Sequence, residues 1–263
     1  MQGAADPFPD SSCAMAVMAK ASVAGRAKTR LIPLLGAENA ARLNTAFLQD
    51  VAGNLLRARK TGRITPYFAF GPAGSEPFFR DHITREVGLI ECSLPNFGDC
   101  LFNAIAMMFR YGHVAACVLN ADSPTLPTEY LIRAARALSL AGDRAVLGPS
   151  ADGGYYFLGL KQPHRRLFEQ IDWSTSRVAE QTRQRAAELG LELVCLEPWY
   201  DVDEASTLRQ LIQDLVSTAQ PRLGVAMYAS PHTRAALAHL IATTDLGLRL
   251  GVTVSPSTLA TPP

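Results

Sequence analysis

The sequence predicts an α/β domain with a mostly parallel central sheet and helices on both faces. Three observations carry that prediction. Short apolar runs alternate with segments of helical spacing from about residue 14 to residue 215. The clearest run, 114–119, is continuous and uncharged, as a buried strand is. Loops rich in charge or glycine adjoin several of these runs, and an open α/β sheet places its ligands at the carboxyl ends of its strands.

In order, residues 14–19 read as a strand, followed by a basic, glycine-containing loop. Residues 38–60 read as a helix, with Leu43, Phe47, Val51, Leu55 and Leu56 on one face. Residues 64–70 and 87–92 read as strands, the first ending at Gly71-Pro72. A helix at 101–109 turns Leu101, Ile105, Met108 and Phe109 inward. After the strand at 114–119, Thr128 is expected to cap a helix running to Leu138, with strands at 144–147 and 155–160 beyond it. A helix at 175–189, a strand at 191–196 and a helix capped by Asp203 complete the alternation. One domain spans 13–220. A helical appendix spans 221–254, where Ser230-Pro231 opens a helix. Residues 1–12 and 255–263 are expected to be flexible.

Composition narrows the function. The formal net charge is +1 over 263 residues, which removes any whole-chain electrostatic attraction to nucleic acid or to an anionic membrane. No apolar run approaches the roughly 18–20 residues that span a bilayer, and the first residues lack the pattern of a secretory signal. The five cysteines are scattered, without a C-x-x-C pair, so neither a disulfide framework nor a zinc knuckle is expected. Cytoplasm is the expected location.

The loop after the first strand carries Lys20, Arg26, Lys28 and Arg30 around Gly25. Such cations neutralise a diphosphate, and a glycine admits backbone N–H groups to its oxygens; a solvated basic loop is the alternative. There is neither a P-loop nor a G-x-G-x-x-G. Asp122 follows the strand at 114–119 and is either a ligand to a divalent cation or the brace of an Asp-Ser-Pro turn. Asp201 and Asp203 offer further carboxylates, Asp203 also as a helix cap. Asp152-Gly153-Gly154-Tyr155 places two glycines before a strand, for close approach to a ligand or to another chain segment; Asp152 alternatively braces that turn. The five histidines show no ligand spacing.

Taken together, K-x-x-x-x-G-R-x-K-T-R-L at 20–31, G-D at 98–99, D-S-P-x-L-P at 122–127, G-P-x-x-D-G-G-Y-Y-x-L-G-L at 148–160, W-S-T at 173–175 and D-V-D at 201–203 resemble one family. It is the transferase family associated with radical-SAM/selenodomain proteins, the arsenosugar-biosynthesis type. Its superfamily is the Rossmann-like glycosyltransferase-A fold of nucleotide-diphospho-sugar transferases. The resemblance implies nucleotide or phosphate contacts from Lys20, Gly25, Arg26, Lys28, Arg30 and Asp99. It implies a magnesium or manganese ion on Asp122 with Asp203 and Asp201, and catalytic work by Asp122 and Asp152. Gly153, Gly154, Tyr155, Trp173, Ser174 and Thr175 would form the acceptor side. The chain departs from the family at Ser22 and Ala24, where prolines are usual, at Asn120 for a glycine, and at Asn103 for an arginine. The implied activity is glycosyl transfer from a nucleotide-diphosphate sugar to a small-molecule acceptor. Nucleotidyl transfer from an NTP with release of pyrophosphate is the alternative, and non-catalytic nucleotide binding is a third reading.

Overall fold

The computed structural model describes residues 12–217 and 224–260. The leader expected at 1–12 lies outside them except for Ser12, which is buried.

β1 (Cys13–Lys20) leads through a 3-10 turn at Thr29–Leu31 and the short α1 (Ile32–Leu35) into α2 (Ala37–Arg59). β2 (Ile64–Gly71), α3 (Glu76–His82), β3 (Gly88–Glu91) and α4 (Phe97–Arg110) follow. Next come β4 (Ala115–Leu119), α5 (Thr128–Ser139), β5 (Arg144–Pro149) and β6 (Tyr155–Leu160). α6 (Val178–Glu188), β7 (Glu192–Cys195) and α7 (Ala205–Val216) complete the sheet-bearing part. α8 (Pro231–Thr243), α9 (Leu246–Leu250) and α10 (Pro256–Ala260) follow.

The seven strands form one sheet in the order β3-β2-β1-β4-β6-β5-β7. Every pairing is parallel except those of β6, which runs antiparallel to β4 and to β5. Alternation along β1 separates two cores. Cys13, Met15 and Val17 face one side, with Leu43, Phe47 and Leu55 of α2. Ala14 and Ala16 face the other, with Leu101, Ala104, Ile105 and Met108 of α4. Both faces of the strand are thus removed from water, and every residue from 13 to 17 is buried.

Several element ends differ from expectation for local reasons. α4 starts at Phe97, because the Asn96 side chain accepts a hydrogen bond from the Gly98 N–H at 2.8 Å. Gly98-Asp99 therefore lies inside the first turn of α4. α6 starts at Val178, after a loop in which Ser174 takes a left-handed φ of 65° and the Thr175 hydroxyl donates to the Asp172 carbonyl. Thr128 does not cap its helix: its hydroxyl donates to Asn54 Oδ1 at 2.7 Å. Asp203 does not cap α7 either. Glu204 holds the N-cap position, and the Thr207 hydroxyl accepts from the Glu204 and Asp203 N–H groups at 3.2 Å each.

The C-terminal helices return to the sheet-bearing part. Asp50 of α2 accepts from the His232 and Thr233 N–H groups at 3.0 and 2.6 Å, filling the N-terminus of α8. The Ser230 hydroxyl donates to the Pro124 carbonyl at 2.8 Å, and the Arg249 guanidinium to the Pro33 and Leu34 carbonyls at 2.7 and 2.6 Å. Within the expected flexible tail, 255–263, α10 forms and Leu259 is fully buried. No helix among the described residues is long and apolar enough to cross a membrane.

Candidate active site

The carboxyl ends of β1, β2 and β4 open onto one cleft of about 610 Å³. Because β6 is antiparallel, its amino end lies at this same edge. Phe157 pairs with Leu119, so Tyr155 and the turn before it sit beyond the end of β4. The D-V-D segment arrives differently. β7 is at the far edge of the sheet, and the chain after it crosses back over the strand ends. It is pinned there by the Val202 N–H donating to the Asp122 carbonyl at 2.9 Å and by the Ser123 hydroxyl donating to the Tyr200 carbonyl at 2.9 Å.

This arrangement gathers most of the residues singled out in the sequence. Lys20, Arg26, Lys28, Arg30, Asp122, Asp152, Gly154, Tyr155, Trp173, Ser174, Thr175, Asp201 and Asp203 all line the cleft. Three do not. Gly25 supplies a positive-φ turn (φ 79°) in the basic loop, where the Arg26 and Ala27 N–H groups both donate to the Val23 carbonyl. Gly153, at φ 92°, lies against the chain at Ser176, whose carbonyl oxygen would be 2.1 Å from an added Cβ. Its close approach is to another chain segment. Asp99 faces a second, shallow groove with Leu94, Pro95, Phe102 and Asn103, where it pairs with Arg165 at 2.8 Å.

The four cations of the basic loop divide. Lys20, Arg26 and Arg30 are exposed, and among the described residues Arg30 reaches Glu204 at 3.8 Å. Lys28 takes a left-handed backbone (φ 47°, ψ 46°), costly for a residue with a Cβ, and its side chain is 3% exposed. Its ammonium donates to Asp122, to Asp203 Oδ1 at 2.9 Å and to the Val202 carbonyl at 2.8 Å. Burial by itself would lower the Lys28 pKa, but Asp122 and Asp203 outweigh it and hold the ammonium above its ordinary value. The Ser22 hydroxyl accepts from Asn44 Nδ2 at 2.8 Å.

The carboxylates crowd one another. Asp201 is pushed up to about 6, first by burial and then by Asp152, Asp203 and Asp122. Asp152 braces its own turn by accepting from the Gly154 N–H through Oδ1 at 2.9 Å; its Oδ2 has no hydrogen-bond partner among the described residues. An apolar wall that sequence reasoning missed completes the cleft: Met18, Ala69, Cys92, Phe97, Cys100 and Leu101. Phe97 is 51% exposed and stands edge-on to Trp173 with ring centroids 5.4 Å apart. An aromatic beside Gly98-Asp99 is the available signal, but only a helix start at Phe97, four residues before the expected one, aims it at the cleft.

A seven-stranded, mostly parallel sheet flanked by helices is a Rossmann-like α/β fold. Residues 54–175 match the model of a family of uncharacterized proteins conserved in bacteria, DUF2064. Among solved structures, the chain is similar to a protein of Desulfovibrio desulfuricans G20 provisionally assigned as a nucleotide-diphospho-sugar transferase. Identity is 23%, with 89% of this chain and 99% of that one covered, at a TM-score of 0.74. A 4-diphosphocytidyl-2C-methyl-D-erythritol synthase is 13% identical over 78% of this chain and 99% of its own, with a TM-score of 0.49, too low to bear on function. No protein of curated function matches the chain.

Proposed function

We propose that the protein is a glycosyltransferase that moves a sugar from a nucleotide-diphosphate donor to a small-molecule acceptor. The observation that carries this reading is that one cleft gathers groups of both charges. Three exposed cations, Lys20, Arg26 and Arg30, line it together with the carboxylates Asp122, Asp152, Asp201 and Asp203. A volume of about 610 Å³ is in the range of small-molecule sites. The motifs at 20–31, 122–127 and 148–160 resemble those of the arsenosugar-type transferases, which supports the reading.

The donor set fits a hard divalent cation. Two carboxylate oxygens and the Val202 carbonyl already converge on one ammonium, and Asp201, raised first by burial and then by its carboxylate neighbours, lines the same cleft. A magnesium or manganese ion held by Asp122 and Asp203, with Asp201 beside them, would supply charge neutralisation of the donor diphosphate. The exposed cations would hold the same diphosphate and stabilise the charge that develops as the nucleotide leaves. Asp152, its Oδ1 held by the Gly154 N–H, would take the proton of an acceptor hydroxyl through Oδ2. Phe97 and Trp173 would cover apolar faces of the substrates and exclude water.

A second reading is nucleotidyl transfer. It is favoured by the same three cations, which suit a triphosphate as well as a sugar diphosphate, and in-line attack at an α-phosphate would use the same groups. A thermal-shift panel of nucleotide sugars and NTPs with Mn²⁺, followed by product analysis, separates the readings. Stabilisation by a sugar nucleotide with release of nucleoside diphosphate supports the first, and NTP-dependent release of pyrophosphate the second. A panel in which no nucleotide raises the melting temperature leaves neither standing.

A further inference from the structure

We propose that Lys28 is an exchangeable internal counter-ion. In the free protein it bars divalent cations from Asp122 and Asp203, and it must leave them before a metal ion is held there or a phosphate meets its ammonium. This deepens the transferase reading and rests on it for its biological setting. It gives Lys28 a role distinct from that of the exposed cations in the same loop.

The argument begins with donor counting. A lysine ammonium has three protons, and Lys28 directs them at three oxygens: Asp122 Oδ1, Asp203 Oδ1 and the Val202 carbonyl. None remains for a phosphate. Lys28 therefore cannot serve a bound nucleotide in the arrangement seen here, whereas Lys20, Arg26 and Arg30 are exposed and can.

The oxygens that hold the ammonium are hard donors of the kind that magnesium and manganese select. A divalent ion on those atoms would stand within contact distance of the ammonium, and two cations so placed repel strongly. Exchange is required, and co-occupancy is excluded. The exchange has a ready path. The lysine stem is flexible, and residues 23–26, ahead of the buried Ala27, are exposed around the positive-φ turn at Gly25. The side chain itself is 3% exposed, so the displaced ammonium needs another anion, and a diphosphate held by the neighbouring cations would provide one. Metal and nucleotide should accordingly help each other bind, by the same factor in each direction.

The test uses the full chain without nucleotide. Mn²⁺ affinity is measured by electron paramagnetic resonance for the wild type, Lys28→Met and Lys28→Gln. The expected result is weak binding by the wild type and roughly tenfold or greater tightening in both variants, in the usual range of coupling between linked ligands. Affinity equal to or weaker than wild type in both variants overturns the proposal. Removing the ammonium leaves two carboxylates unpaired, so the melting temperature is followed with and without Mn²⁺ as a second measurement. A larger Mn²⁺-induced rise in the variants than in the wild type supports exchange. Variants that stay unfolded in saturating Mn²⁺ overturn it, because the metal then cannot replace the ammonium. The outcome is independent of the nucleotide panel. A chain that binds no nucleotide would lose the transferase reading while the Mn²⁺ comparison still decides the role of Lys28.

Discussion

Lys20, Arg26 and Arg30 differ from Lys28 in what their loss should do. The three exposed cations have little to contribute to folding, since surface charges contribute about 0–1 kcal/mol each. The Lys20→Ala, Arg26→Ala, Arg30→Ala triple variant should melt within about 5 °C of the wild type. Its stabilisation by nucleotide should be lost, because each charge-assisted hydrogen bond contributes about 1.5–3 kcal/mol. An unchanged nucleotide-induced shift would make the loop a solvated surface. Asp201 gives a prediction of opposite sign. Its folded pKa of about 6 lies above the unfolded value, so the ionised group opposes folding at neutral pH. Wild-type stability should rise as pH falls from 7 through 6. Asp201→Asn should be more stable than wild type by about 1 kcal/mol at pH 7, a figure reduced from the full conversion because the group is partly exposed. Urea denaturation at pH 7 and pH 5 checks this, and an advantage that does not shrink at pH 5 would rule out the buried, ionised Asp201 as its source.

At the scale of elements, capping and cation binding fall to neighbouring residues of one turn. Thr207 accepts from two N–H groups at the start of α7, while the Asp203 side chain is turned to Lys28. Thr207→Val should therefore destabilise the protein by about 1 kcal/mol and leave Mn²⁺-dependent nucleotide binding intact. Asp203→Ser should do the reverse, weakening binding without loss of the cap. Equal effects of the two substitutions on binding would contradict the division. The start of α8 depends on a distant residue. Asp50 of α2 is fully buried and accepts from two N–H groups of α8. Asp50→Ala leaves both donors without an acceptor and should cost about 2–4 kcal/mol in denaturant unfolding. A cost below about 1 kcal/mol would mean that the N-terminus of α8 finds other partners.

For the molecule as a whole, the C-terminal helices share the main core. Leu237, Leu240, Leu246, Leu250 and Leu259 are buried in the same cluster as Leu43 and Phe47 of α2. Their polar straps reach Pro124, two residues from Asp122, and Pro33 and Leu34, shortly after Arg30. A chain ended at residue 217 should lose both, with a broadened, low-temperature melting transition and exposed apolar surface detectable by dye binding. Retention of the full melting temperature would make the C-terminal helices an independent attachment. The sequence by itself determined the succession of strands and of the longer helices, because burial on one face or two shapes the apolar pattern of neighbouring residues; the short α1, α3, α9 and α10 carry too few turns to show a period. It also determined the basic loop and the acidic strand end, since each is a local cluster following an apolar run. The tertiary structure alone decided what those clusters do to each other. The antiparallel β6 brings Asp152 and Tyr155 to the cleft, the crossing after β7 brings Asp203 to Asp122, and Arg165 draws Asp99 into the second groove. Lys28 becomes the partner of a carboxylate 175 positions away. Such pairings depend on strand order and on where the chain returns, and no local periodicity carries that information.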